Sequence, residues 1–290
     1  MVRRLTGEAP RAVHGDGRTP SRVELADGRL AVLKSAHEQP GQVAAEVAGL
    51  RWLAEPGAMP VPEVLGHDAD WLLLEYLPAT RPDRSAATRF GRDLARTHAA
   101  GAAAFGAAPP GGPTQAWIGR APMANVTGAD WPDWYVEHRV LPYLRMATDG
   151  GGLTAEQAGV IEAACQVLPE LAGPPVRPAR LHGDLWSGNV CWSPAPTHAG
   201  QVAGWLIDPA AHGGHPETDL AMLALFGCPH RDAVLAGYQE ITPLAEGWPD
   251  RIALHQLFPL LVHVVLFGAG YAGQAVAAAR STERLANGIP

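Results

Sequence analysis

The stretch Leu181-His182-Gly183-Asp184-Leu185-Trp186-Ser187-Gly188-Asn189-Val190, followed by Trp205-Leu206-Ile207-Asp208-Pro209, constrains this chain more than any other. An Asp, an Asn five positions on, and a second Asp closing a short apolar run form the polar skeleton of a phosphoryl-transfer site. In that template the first Asp takes the proton of an attacking hydroxyl, while the Asn and the second Asp hold Mg²⁺ against the nucleotide phosphates. A tight loop after Leu181 sets Asp184 beside Asn189, and a strand over 204–207 delivers Asp208 opposite them. These are the hard oxygen donors that magnesium takes. His-Gly-Asp by itself is an ordinary turn, because Gly and Asp both suit turn geometry. The offsets of Asn189 and Asp208 are what lift it out of that reading.

A second signal comes from lysine. The chain has one, Lys34, against 21 arginines. A codon bias toward Arg explains the shortage and makes the exception informative, since a site needing a compact ammonium resists replacement by a planar fork. Lys34 ends the apolar run Leu30-Ala31-Val32-Leu33, entered through the turn Ala26-Asp27-Gly28, where a kinase-like fold carries its phosphate-binding lysine. A helix follows over 42–54, with Val43, Val47, Leu50 and Leu53 on its apolar face. Glu46, near its middle, is placed to pair with Lys34 and aim it at the phosphates. Upstream, Gly15 and Gly17 sit in a strand–loop–strand over 10–25 and would let backbone amides approach nucleotide phosphates, although the full G-x-G-x-x-G spacing is missing.

The remaining chain reads as a small β-rich lobe before a larger helical one. Strands over 63–67 and 71–77 form a pair, and the second runs into Pro78, a natural connector where backbone around Glu75 and Leu77 would meet the adenine edge. We therefore expect an α+β, two-lobed, protein-kinase-like fold, with a nucleotide-binding lobe over 1–77 and a catalytic and substrate-binding lobe over 78–290. Helices are expected over 85–103, 131–147, 153–171 and 218–226, with two or three more to about residue 285. The segment 116–130 reads as irregular.

Composition excludes several classes. With 47% apolar and 18% charged residues the chain is globular. A net charge of -7 argues against nonspecific nucleic-acid or acidic-membrane binding, which need a basic surface. Three cysteines are too few for a disulfide scaffold, so a reducing cytoplasm is expected. No apolar signal segment opens the chain. Residues 252–279 carry no Asp, Glu, Lys or Arg, but His255, Gln256, Pro259 and His263 interrupt them. Leu254, Leu257, Leu261 and Val265 recur at helical spacing, as in a buried helix and not a membrane span.

Taken together, His182 to Asn189 with Ile207-Asp208-Pro209-Ala210 resembles the fructosamine kinase (ketosamine-3-kinase) family, a variant of the protein-kinase-like fold shared with aminoglycoside phosphotransferases. Trp186-Ser187-Gly188 narrows the match, and Glu46-Val47-Ala48-Gly49-Leu50, Glu217-Thr218-Asp219-Leu220 and Leu266-Phe267-Gly268-Ala269-Gly270-Tyr271 agree with it. The resemblance implies ATP and Mg²⁺, with Asp184 as catalytic base, Asn189 and Asp208 as metal ligands, and Lys34 with Glu46 on the nucleotide phosphates. It implies that Asp219 and His182 support the loop and that Trp186 faces a sugar-amine acceptor, where an indole covers an apolar sugar face or a cationic amine. The expected reaction is phosphorylation of the 3-hydroxyl of a ketosamine, free or on a glycated lysine, in deglycation. Ala211-His212-Gly213-Gly214 departs from a stretch usually rich in Tyr, which bears on substrate preference. Two rivals remain: a kinase of this fold for another hydroxylated amine, aminoglycoside- or choline-like, and a nucleotide-binding module without catalysis. The spacing His212-x-x-His215 also suggests a metal pair, although no third ligand is evident.

Overall fold

The computed structural model describes residues 1–15, 20–36 and 39–288. The first part holds α1 (Val2–Thr6), β1 (Ala12–His14), β2 (Ser21–Glu24), β3 (Leu30–Ser35), α2 (Gln42–Ala54), β4 (Val64–His67) and β5 (Trp71–Glu75). The five strands pair antiparallel in the order β1-β2-β3-β5-β4. Alternation along a strand decides what each face meets. Leu72 and Leu74 of β5 pack with Val43, Val47 and Leu50 of α2. Leu73 turns the other way and joins Val23, Ala31, Leu33 and Val2 of α1.

The second part holds α3 (Arg84–Ala99), β6 (Gln115–Ile118), β7 (Ala121–Ala124), α4 (Trp131–Tyr135), α5 (Leu141–Asp149), α6 (Ala155–Leu171), β8 (Ala179–Leu181), β9 (Val190–Pro194), β10 (Val202–Leu206), β11 (His212–Gly214), α7 (Pro216–Leu225), α8 (Arg231–Ile241), α9 (Trp248–Phe267) and α10 (Ala272–Ala286). A small antiparallel sheet with one main helix thus precedes a mostly helical body, the two-lobed α+β architecture expected. The parts share apolar packing, since Trp52 and Leu53 at the end of α2 join Phe90, Leu94 and Leu206 in one core. Helix α3 begins on a side-chain cap, the Asp83 carboxylate accepting from the Ala86 amide at 2.7 Å.

α9 is long and apolar enough to cross a membrane by length and composition, but Leu254, Leu257, Phe258, Leu260, Leu261, Val262 and Val264 are buried in the protein core. An apolar surface on every side marks a helix surrounded by protein. Pro259 has no N–H for the His255 carbonyl one turn back. The Tyr135 hydroxyl fills that role, donating to His255 O at 2.9 Å and tying α4 to α9.

Two expectations need correction. Residues 116–130 are not all irregular, because β6 and β7 form a tight hairpin with Ile118 paired to Ala121. The single helix expected over 131–147 is interrupted by a π-turn, Val136–Val140, between α4 and α5. Pro142 offers no N–H to the His138 carbonyl, and the Arg139 guanidinium donates to that carbonyl instead at 3.0 Å.

Candidate active site

Gly183 allows the loop after β8 to form. Its φ of 82° suits glycine, and a Cβ there would fall 2.1 Å from the Ala210 carbonyl oxygen. Asp219, from the first turn of α7, accepts from the His182 amide at 2.8 Å and the Gly183 amide at 3.0 Å. His98 Nε2 lies 3.1 Å from the same carboxylate and His98 Nδ1 2.9 Å from the Tyr238 hydroxyl. Burial works against the Asp219 charge, but these hydrogen bonds hold its pKa below the ordinary value. His182 is fixed from both ends. Its Nδ1 accepts from the Asp184 amide at 3.2 Å and its Nε2–H donates to Ile207 O at 2.9 Å. An Nδ1 that accepts carries no proton, so this arrangement requires the neutral ring, and burial lowers its pKa in the same sense.

On this brace sit the polar residues of the loop. Asn189 Nδ2 donates to the Asp184 carbonyl at 2.8 Å and to its carboxylate at 3.0 Å, closing the five-residue offset into a ring. Burial pushes the Asp184 carboxyl up to about 7; the Asn189 bond opposes this, while Asp208 and Asp219 add to it. Asp208, just past β10, takes a left-handed backbone with φ 53°, a conformation that clusters at functional sites. The Lys34 ammonium bridges two carboxylates, Glu46 at 2.7 Å and Asp208 in close contact. Burial works against the Lys34 charge, yet the two carboxylates hold its pKa above the ordinary lysine value.

Lys34, Glu46, Asp184, Trp186, Asn189 and Asp208 all line one cavity of about 410 Å³. Its donor set fits magnesium: three carboxyl groups and the Asn189 amide share the cavity with a single ammonium, and no thiolate or thioether is among them. His182 and Asp219 lie behind this wall, fully buried. Gly15, at φ 147°, and Glu75 and Leu77 do not line the cavity. Gly17 lies outside the described residues.

Trp186 is 38% exposed, its ring edge-on to Phe226 at 6.1 Å. Gly188 makes room for it, because a Cβ there would stand 2.2 Å from the indole. Sequence reasoning missed the rest of this wall: Trp117, Gly119 and Arg120 of the hairpin, and His263 and Phe267 of α9. The hairpin left a signal in the alternation of buried Ala116 and Ile118, then Ala121 and Met123, around Gly119-Arg120. Pro122 obscured it, since proline is tolerated only in an edge strand.

His212 and His215 do not form a metal pair. His212 Nδ1 bonds Ala210 O at 2.8 Å, while His215 gathers with Glu217 and His255, their ligand atoms within 4.8 Å of one another. Arg251 donates to both Glu217 oxygens, at 2.9 and 2.7 Å, so the carboxylate is taken and a positive charge already stands there. Burial opposes the Glu217 charge, but His255 and Arg251 hold its pKa down to about 2. This is a buried ionic brace under α7.

A sequence model of the fructosamine kinase family matches residues 9–283. The crystal structure of a Thermobifida fusca protein assigned as a fructosamine-3-kinase aligns with a TM-score of 0.88 at 46% identity, covering 98% of this chain and 97% of that one. A probable ketoamine kinase of Synechocystis sp. is 35% identical over 235 residues, 80% of this chain and 75% of its own length. In fold alone, the choline kinase of Streptococcus pneumoniae aligns with a TM-score of 0.62 at 16% identity, covering 95% of this chain and 94% of that one.

Proposed function

The chain belongs to the fructosamine kinase family and is a phosphotransferase acting on a hydroxyl group, and from that premise we propose that it moves the γ-phosphoryl of ATP to the 3-hydroxyl of a ketosamine. The observation that carries this reading is the convergence of Asp184, Asn189, Asp208, Lys34 and the exposed face of Trp186 on one cavity. Asp184 accepts the proton of the sugar hydroxyl and orients that oxygen for in-line attack. Its carboxyl reaches the acceptor because Asn189 and the Asp219-braced loop fix it. Lys34, aimed by Glu46, holds nucleotide phosphate oxygens. Asn189 and Asp208 would hold magnesium, which when bound supplies charge neutralisation to the phosphates. Trp186 walls the acceptor side and keeps water from the reacting oxygen. Catalysis of this kind is mostly positioning and electrostatics.

We propose further that backbone amides at Gly15 and Gly17 approach the nucleotide phosphates and that backbone around Glu75 and Leu77 meets the adenine edge. We take the lobes to divide at residue 77, between the end of β5 and the Asp83 cap. The setting we propose is a reducing cytoplasm, which the free thiols of Cys165, Cys191 and Cys228 suit, and the role is deglycation of small molecules or proteins.

The test is phosphate transfer from ATP to a panel of ketosamines, an aminoglycoside and choline, with the phosphorylated carbon located by NMR. Transfer to the ketosamine 3-hydroxyl is expected. Preference for the aminoglycoside or choline would replace the acceptor in this reading, and no metal-dependent turnover on any acceptor would leave only a nucleotide-binding module.

A further inference from the structure

The β6–β7 hairpin does more than border the cleft. It belongs to the second part of the chain, yet its turn is pinned to the first. Gln42 Nε2 donates to Gly119 O at 3.1 Å, Gln39 Nε2 to Arg120 O at 3.3 Å, and Trp117 Nε1 to Pro40 O at 3.3 Å. Three side-chain-to-backbone bonds thus strap the hairpin to the start of α2. Gly119, with φ 56°, takes the first turn position, the pattern of a two-residue type II′ hairpin. Arg120 takes the second, so its direction is fixed by a rigid turn.

That turn borders the cleft beside the end of α9. A Cβ on Gly119 would lie 3.1 Å from Leu266 Cδ1, beside Phe267. From Phe267 a series of rings leads to the catalytic loop: His263 at 5.4 Å from Phe267, Phe226 at 4.7 Å from His263, Trp186 at 6.1 Å from Phe226. Arg120 lines the same cavity as Asp184 and Trp186, and as Lys34 and Glu46. It is exposed, and among the described residues no carboxylate pairs with it. Lys34, the other cationic side chain of the cavity, is already engaged by Glu46 and Asp208.

A guanidinium offers a planar fork that matches a carboxylate with two parallel hydrogen bonds. The ketosamines differ in that group. One formed from an α-amino acid carries a carboxylate on the carbon next to its amine. One formed on a protein lysine carries a methylene stem there. We propose that Arg120 is a specificity-determining residue that recognises a carboxylate beside the amine of the acceptor, so that the preferred ketosamines are those of free α-amino acids. This rests on the ketosamine reading above and adds to it the class of amine.

Two acceptors with the same sugar separate the claims: the fructosyl derivatives of glycine and of glycinamide, equal in shape and differing in the carboxylate charge. Wild-type enzyme is expected to favour the glycine derivative by about 10- to 100-fold in kcat/KM, mainly through KM, as loss of a charge-assisted pair implies. Arg120→Gln should collapse that ratio toward one, and Arg120→Lys should restore part of it. Equal kcat/KM on both acceptors in the wild type overturns the assignment of Arg120 alone. So does Arg120→Gln if it lowers both acceptors alike, or raises the ATP KM as much as the acceptor KM. A wild-type enzyme that phosphorylates neither acceptor, while turning over another hydroxylated amine, overturns the ketosamine reading itself.

Discussion

Asp184 has a buried carboxyl with acidic neighbours in Asp208 and Asp219 and one amide donor, so its chemistry and its stability effect point in opposite directions. Asp184→Asn keeps the shape and the Asn189 bond but removes the proton acceptor; turnover should fall by about 10²- to 10⁴-fold with little change in ATP KM. Retention of most activity would remove Asp184 from the role of base. In the ligand-free protein the same change should stabilise. Its pKa rises from 3.8 to about 7 on folding, so between those values the native state holds a proton that the unfolded chain has lost. Stability therefore falls as pH rises through that window and is flat above it, a cost on the order of 4 kcal/mol. Thermal melts without nucleotide or metal should find Asp184→Asn above wild type near pH ~8 and level with it near pH ~4. Lys34→Arg should lose nearly as much kcat as Lys34→Met, because a longer planar fork does not fit between Glu46 and Asp208. Near-normal kinetics for the arginine variant would leave codon bias as the account of the lone lysine. Trp186→Ala should raise the acceptor KM and cost well under the about 3–5 kcal/mol of a core tryptophan, which paired melting and kinetics would read.

At the scale of elements, α3 and α8 touch backbone to backbone. A Cβ on Gly91 would fall 1.9 Å from Val234 O, and one on Gly237 2.1 Å from Thr88 O. Gly91→Ala should destabilise by about 2–3 kcal/mol in denaturant titrations, since neither helix can give way cheaply. Gly159 on α6 is the control: a Cβ there meets nothing within 4 Å, and Gly159→Ala should stabilise by about 0.5–1 kcal/mol. The same elements show what could be read from the chain. α2 occupies residues 42–54 as expected, because Gly41 bounds it and its apolar spacing is unbroken. Asp184, Asn189 and Asp208 were legible because a short loop and one hairpin fix their relations locally. The acceptor wall was not. Arg120, His263 and Phe267 join Trp186 on one cavity only through tertiary packing, and the hairpin carrying Arg120 has a proline in one strand. The π-turn was hidden for a related reason: Pro142 marks a missing donor, but only the fold shows that Arg139 supplies the bond.

At the scale of the whole molecule, the two parts are joined by the shared core around Trp52 and Phe90 and again by the hairpin strap at the mouth of the cleft. Between these joints lies the only amine side chain of the protein. Lys34 is 23% exposed and held protonated between Glu46 and Asp208; every other basic side chain but histidine is a guanidinium. Reducing sugars condense with unprotonated amines, so the surface offers them no lysine to attack. Long incubation with glucose, followed by peptide mass mapping, should place hexose on the α-amino group of the chain and leave Lys34 unmodified, with activity retained. Hexose on Lys34 at a rate near that of a free lysine would refute this. An enzyme proposed to act on glycated amines would then itself be almost free of sites for glycation.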